Sequence, residues 1–214
     1  MATRKTPPAP GTRSRILSAA CDEFGAKGFA ATTVDRIARR ARVNKAMIYF
    51  HFPNKRALYT AIVRDLYAAL HERLGAIAAQ PLTPTQKLDR LIEAFVTSVD
   101  GSRHFLPFFL REIADGAVHL GPEELGLIGG IFATVRGVIA EGTKRKLFQP
   151  VNPALAHFTI IGPLIMFRAT APVRERIRLT QHIDIPDVAS GALIEHLQMV
   201  ARRMLAPAKT EDGV

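Results

Sequence analysis

The chain has no tryptophan and one cysteine, Cys21. A lone thiol cannot close an intramolecular disulfide, which fits a reducing cytoplasm, and its place on an amphipathic helix reads as a buried structural thiol and not a nucleophile. Long apolar runs are missing. The best stretches, such as 158–167, are short and interrupted, so no membrane span and no membrane partner are expected. The basic start, Met1 to Arg15, lacks the apolar core of a signal peptide. Alternating strand patterns and hairpin turns are also missing. The seven histidines show no ligand spacing, and His71-Glu72 lacks the second histidine of a zinc-protease helix. Gly25 and Gly28 stand at a helix end and do not form a phosphate loop. No catalytic residue, metal or cofactor is therefore expected, and the chain is not read as an enzyme.

What is present is positive charge, unevenly placed. The 214 residues carry a formal net charge of +10. Residues 1–60 hold 12 Lys and Arg against 3 Asp and Glu, and the rest of the chain holds 17 against 16. Such asymmetry points to an anionic polymer or a membrane surface as the partner of the N-terminal quarter.

Helical periodicity runs through the remainder. After a basic, proline-rich tail (residues 1–11), Ile16, Leu17, Ala20 and Phe24 mark a first helix ended by Gly25 and Gly28. Thr33 and Asn44 are side-chain N-caps for a second and third helix, and Pro53 stops the third. A fourth runs from about Asn54 to Gly75. Further helices are predicted over 85–99, 107–115, 123–146 and 153–168, the last kinked at Pro163. A polar connection with a short helix near 173–179 leads to a final helix over 187–205.

The second and third helices are separated by the tight turn Ala41-Arg42-Val43. This is helix-turn-helix spacing, in which the second helix of the pair enters the major groove. The stretches Thr32-Thr33-Val34-Asp35-Arg36-Ile37-Ala38, Val43-Asn44-Lys45-Ala46-Met47-Ile48-Tyr49-Phe50-His51-Phe52 and Asn54-Lys55-Arg56-Ala57-Leu58 resemble the signature of the TetR family of transcription regulators (AcrR-like). Ile16-Leu17, Phe24 and Lys27-Gly28-Phe29 are similar to that family's first helix, so the likeness covers roughly residues 12–60.

The resemblance implies an all-α fold. A helix-turn-helix DNA-binding domain (12–59) precedes a helical ligand-sensing and dimerisation domain (60–206) and a flexible tail (207–214). It further implies a cytoplasmic homodimer that binds a double-stranded, palindromic DNA operator and leaves it when a small hydrophobic or amphipathic ligand binds. Thr33 would hold a phosphate at a helix N-terminus. Lys45, Ala46, Met47 and Phe50 lie where the family reads bases, Tyr49, His51 and Lys55 where it meets phosphates, and Arg36 near the groove edge, with the N-cap Asn44 also counted among the DNA-binding residues. Met47 and Phe50 point away from the inward stripe of Ile48 and Phe52, and would suit thymine methyls. Arg39, Arg40 and Arg42 read equally as a solvated basic face or as contacts. The family usually has glycine where Arg42 stands and often where Ala46 stands, so a strained left-handed Arg42 is expected.

In the second domain the resemblance carries architecture and no ligand. Phe105, Phe108 and Phe109 beside Glu112 would suit a cationic ligand, or are core with an ion-paired acid. Met166, Phe167 and Arg168 would line a pocket for an anionic one. Two heptad-like seams are candidates for dimerisation: Leu155, Phe158, Gly162 and Ile165, and Leu193, Leu197, Val200 and Met204. Burial within one subunit is the competing reading. The rival function is a ligand-independent, architectural DNA-binding protein.

Overall fold

Apolar positions at 3–4 residue spacing and polar caps set the elements. The computed structural model describes residues 11–207, and among them the chain is all-helical. In order these are α1 (Thr12–Ala31), α2 (Val34–Ala41), α3 (Lys45–His51), α4 (Lys55–Ala78), α5 (Pro84–Gly101), α6 (Phe105–Ala114), α7 (Pro122–Lys144), α8 (Pro153–Ala169), α9 (Ala171–Gln181) and α10 (Ser190–Leu205). The expected N- and C-terminal tails fall, except for Gly11 and Pro207, outside the described residues.

Side-chain caps act at Thr33 and Asn44, where the sequence places them, and at Asn152 and Thr83 besides. Thr33 and Asn44 accept from the backbone N–H groups of Arg36 and Met47, and Asn152 accepts from Ala154 and Leu155. Thr83 and Gln86 form a reciprocal capping box. Each such cap contributes about 0.5–2 kcal/mol to its helix.

Three expectations change. Helix α1 does not stop at Gly25 or Gly28; it continues to Ala31 through a kink at Gly28 (φ 76°, ψ 176°), a conformation that glycine alone adopts without strain. Helix α8 passes through Pro163 without a non-helical residue, and the 45° bend falls instead between α8 and α9. Helix α7 is long and apolar enough to cross a membrane by length and composition, against the expectation that no span reaches that threshold. Core helices of soluble proteins also pass that test.

The chain divides into two compact units, and the division is not a single cut near residue 60. One unit comprises the chain up to Tyr67 together with 107–125. Its core is Ile16, Ala20 and Phe24 of α1, Ile37, Ala38 and Ala41 of α2, Ile48 and Phe52 around α3, and Leu58 and Tyr59 of α4. Residues 107–125 join it because Phe108 packs on Tyr59 (ring centroids 5.4 Å apart) and Phe24 (6.5 Å). Arg111 also donates to the carbonyls of Gly25 and Ala26 at the kinked end of α1. The other unit comprises 68–106 and the chain from Gly126 onward. There α5, α8 and α10 pack together through Leu88, Leu91, Ile92, Phe95, Ile160, Leu164, Leu193, Leu197, Ala201 and Leu205. Burying each large aliphatic side chain contributes roughly 1.5–3 kcal/mol.

Candidate nucleic-acid interface

The turn between α2 and α3 is built on Arg42. It sits in the left-handed region (φ 54°, ψ 47°), and its N–H closes on the carbonyls of Ala38 and Arg39. The turn sets the start of α3, where Asn44 caps. Ile48 and Phe52, buried to 1% and 4% exposure, fix which face of α3 turns inward. The opposite face carries Asn44, Lys45, Ala46, Tyr49 and Phe50, all exposed, with Met47 half-buried at its edge. Six of the sequence-derived candidates therefore share one short helix surface.

Lys45 donates to Asp35 at 3.0 Å, and both side chains are exposed. The carboxylate raises the lysine's pKa through this hydrogen bond first and its charge second. An ion pair this exposed is weak enough to exchange for another anion. Thr33 is exposed at the start of α2, Arg39 and Arg42 are exposed nearby, and neither arginine is ion-paired among the described residues. Arg40 is committed to Asp22 at 2.7 Å, with Glu23 at 3.6 Å.

Three other candidates hold partners within the protein or are enclosed. Arg36 donates its Nε to Glu23 at 3.0 Å, tying α2 to α1, and its side chain stays partly exposed. Lys55 turns inward. Its Nζ donates to the carbonyls of Phe29 (2.8 Å) and Thr32 (2.9 Å) and lies 4.3 Å from the Phe29 ring centroid. Burial pulls its pKa below the usual lysine value. The ammonium thus adds a charged donor to carbonyls at the end of α1 and has one N–H left over. His51 is half-buried with Nε2 enclosed and unpartnered, so in this rotamer that nitrogen cannot reach a phosphate.

The candidate ligand residues fall in both units. Phe108 and Glu112 are core of the first unit, 2% and 3% exposed, and Tyr59 donates its hydroxyl to Glu112. Burial first, and Glu112 second, push the Tyr59 phenol well above its usual pKa. Phe105 is buried in the second unit and Phe109 is half-buried in the first. Met166 is 64% exposed. Arg168 is occupied: Nε and Nη2 each meet Asp100 at 2.8 Å, and Nη1 donates to the Val188 carbonyl. Phe167 lies 3.9 Å beneath the Arg174 guanidinium.

Of the two seams, that of α10 faces inward at Leu193 and Leu197, which pack within their own unit, while Val200 and Met204 are half-buried. On α8, Leu155 and Phe158 are 68% and 67% exposed, with Gly162 and Ile165 half-buried beside them. Sequence reasoning missed the anchors Glu23, Arg111 and Tyr59. Their partners lie 13, 86 and 53 residues away, beyond any local pattern.

Comparison with known proteins agrees with this geometry. The family model described as "Bacterial regulatory proteins, tetR family" matches residues 16–62, the segment that runs from α1 into α4. The transcriptional repressor NicS of Pseudomonas putida is 30% identical over 159 residues, covering 70% of this chain and 73% of that protein. Among solved structures, a tetR-family regulatory protein from Rhodococcus RHA1 superposes with a TM-score of 0.75 at 20% identity, over 94% of this chain and 100% of the other. The regulator FadR of Bacillus subtilis, solved with stearoyl-CoA, gives 0.70 at 18% identity over 90% and 98%. The helix pair with its outward-facing α3, the matched segment and a relative that resembles most of the chain lead to one conclusion: the chain belongs to the tetR family of bacterial regulatory proteins.

Proposed function

We propose that the protein is a homodimeric, sequence-specific DNA-binding repressor, released from a palindromic operator by a small hydrophobic or amphipathic ligand. The observation that carries this reading is the division of α3 into an inward face, Ile48 with Phe52 beyond it, and an outward face bearing Lys45, Ala46, Tyr49 and Phe50. In the major groove these side chains and Met47 would meet base edges and thymine methyls, with Asn44 and Thr33 at the helix starts and Arg39 and Arg42 meeting phosphates. Residues 12–59 would supply this head and 60–206 the sensing and dimerisation part. The exposed face of α8 with Leu155 and Phe158 is the surface offered for a two-fold dimer, which sets two heads about 34–36 Å apart on successive grooves.

The ligand class rests on the apolar composition of the second unit and on the stearoyl-CoA held by the FadR structure. Helix α4 belongs to both units, with residues up to Tyr67 in one and the rest in the other. Ligand and operator would be coupled through it, and linkage requires each to weaken the other by the same factor. The work takes place where the DNA is, and no catalytic step is assigned.

The test is binding of the purified protein to fragments from upstream of its own gene, over a salt series with excess competitor DNA. Tight, competitor-resistant binding of a dimer to one fragment is expected. Weak, salt-sensitive binding to every fragment tried would favour the architectural reading.

A further inference from the structure

Helix α6 ends at Ala114, and the chain then turns sharply: Gly116 and Ala117 both take positive φ (66° and 57°), and the Ala117 N–H closes on the Glu112 carbonyl. The turn carries Asp115 and His119 back beside Glu112. Nδ1 of His119 lies 3.6 Å from Oε1 of Glu112 and 3.8 Å from Oδ2 of Asp115. One ligand atom from each of the three lies within 4.8 Å of the other two.

These separations are too long for hydrogen bonds and short enough for a shared ion. Donors on a tetrahedral ion with bonds of ~2.0–2.2 Å stand roughly 3.3–3.6 Å apart, a spacing reached here by small side-chain rotations. Two polar atoms of the group also lack hydrogen bonds. Oε2 of Glu112, on a side chain 3% exposed, has no hydrogen-bond partner, and neither does the buried Nδ1 of His119. A buried carboxylate oxygen without a donor is costly, and a cation bound by both Glu112 oxygens together with Asp115 and His119 would remove that cost. Tyr59 fixes the orientation of the Glu112 carboxylate through its hydroxyl, as groups behind metal ligands commonly do. Asp115, whose side chain is 44% exposed, leaves the group open to solvent on one side for water to complete the coordination.

We propose that Glu112, Asp115 and His119 form a binding site for a divalent transition-metal cation. One imidazole with two carboxylates suits zinc, cobalt, nickel or manganese better than magnesium or calcium, which favour oxygen alone. The ion would pin the turn after α6 to the N-terminal helices, since the His119 ring packs 4.5 Å from Phe29 at the end of α1. An effect on DNA binding would follow only if the regulator reading also holds.

The experiment titrates the chelator-treated full-length protein with Co2+, following its visible absorption and the heat of binding, with Zn2+ as competitor. One saturable site per chain is expected. Asp115→Asn, at an exposed side chain, and His119→Ala should each weaken Co2+ binding by ~10-fold or more. His196→Ala, on the exposed face of α10, should leave it unchanged. Asp115→Asn should melt like the wild type in the absence of metal, which separates lost coordination from lost folding. Absence of saturable uptake, or wild-type affinity in both Asp115→Asn and His119→Ala, overturns the proposal. No DNA enters the assay, so its result and that of the operator experiment are independent.

Discussion

Arg42 holds a position where a side chain is a burden: its φ of 54° places Cβ against its own carbonyl. Replacement by glycine should relieve about 1 kcal/mol of strain, partly offset by the greater freedom of glycine in the unfolded chain. Urea unfolding of Arg42→Gly is expected to show a midpoint at or above that of the wild type. Lys55 carries a larger effect. Lys55→Ala removes two charge-assisted hydrogen bonds to the Phe29 and Thr32 carbonyls, and should cost roughly 2–4 kcal/mol of stability. Where the variant remains folded, its DNA affinity should keep the wild-type salt dependence. A slope smaller by about one would instead return Lys55 to the phosphates.

At the scale of elements, helix α7 separates two uses of glycine. A Cβ on Gly129 meets nothing within 4 Å, whereas one on Gly130 would lie 2.3 Å from Cε1 of His71. Gly129→Ala should therefore gain up to about 1 kcal/mol from helix propensity. Gly130→Ala should lose about 1–3 kcal/mol through overpacking, and thermal unfolding of the pair reads the contrast directly. The same distinction explains what could be read in the chain beforehand. Thr33 and Asn44 announce their helix starts because a cap acts over three residues, whereas the Thr83 cap puts α5 one residue ahead of the expected start. The inward face of α3 is legible for the same reason, since Ile48 and Phe52 are one turn apart. Glu23 with Arg36, Arg111 with Gly25 and Glu112 with Tyr59 are decided by which helices meet, and nothing local records that. The turn after α6 was equally hidden. Two consecutive positive-φ residues reverse the chain there, and only one of them is a glycine.

The whole molecule keeps its charge in its first quarter, and its other unit responds to acid instead. His157 is lodged among the rings of Phe95, Phe132 and Phe158, and burial lowers its pKa from the usual 6.5. The folded state then binds fewer protons than the unfolded state between the two values. The stability tied to His157 is full above pH ~6.5 and falls as pH drops through the native pKa. Melting temperature should decline from pH 6.5 to 5, and the decline should be shallower in His157→Gln than in the wild type. Tyrosine placement has an optical consequence. With no tryptophan in the chain, its near-ultraviolet emission belongs to three tyrosines, of which Tyr59 and Tyr67 are buried and Tyr49 alone stands in solvent on α3. A quencher dissolved in the buffer would reach that one ring and spare the other two, so the protein carries an intrinsic fluorophore on the surface proposed to dock, and shielding of its emission would time the arrival of DNA without any label.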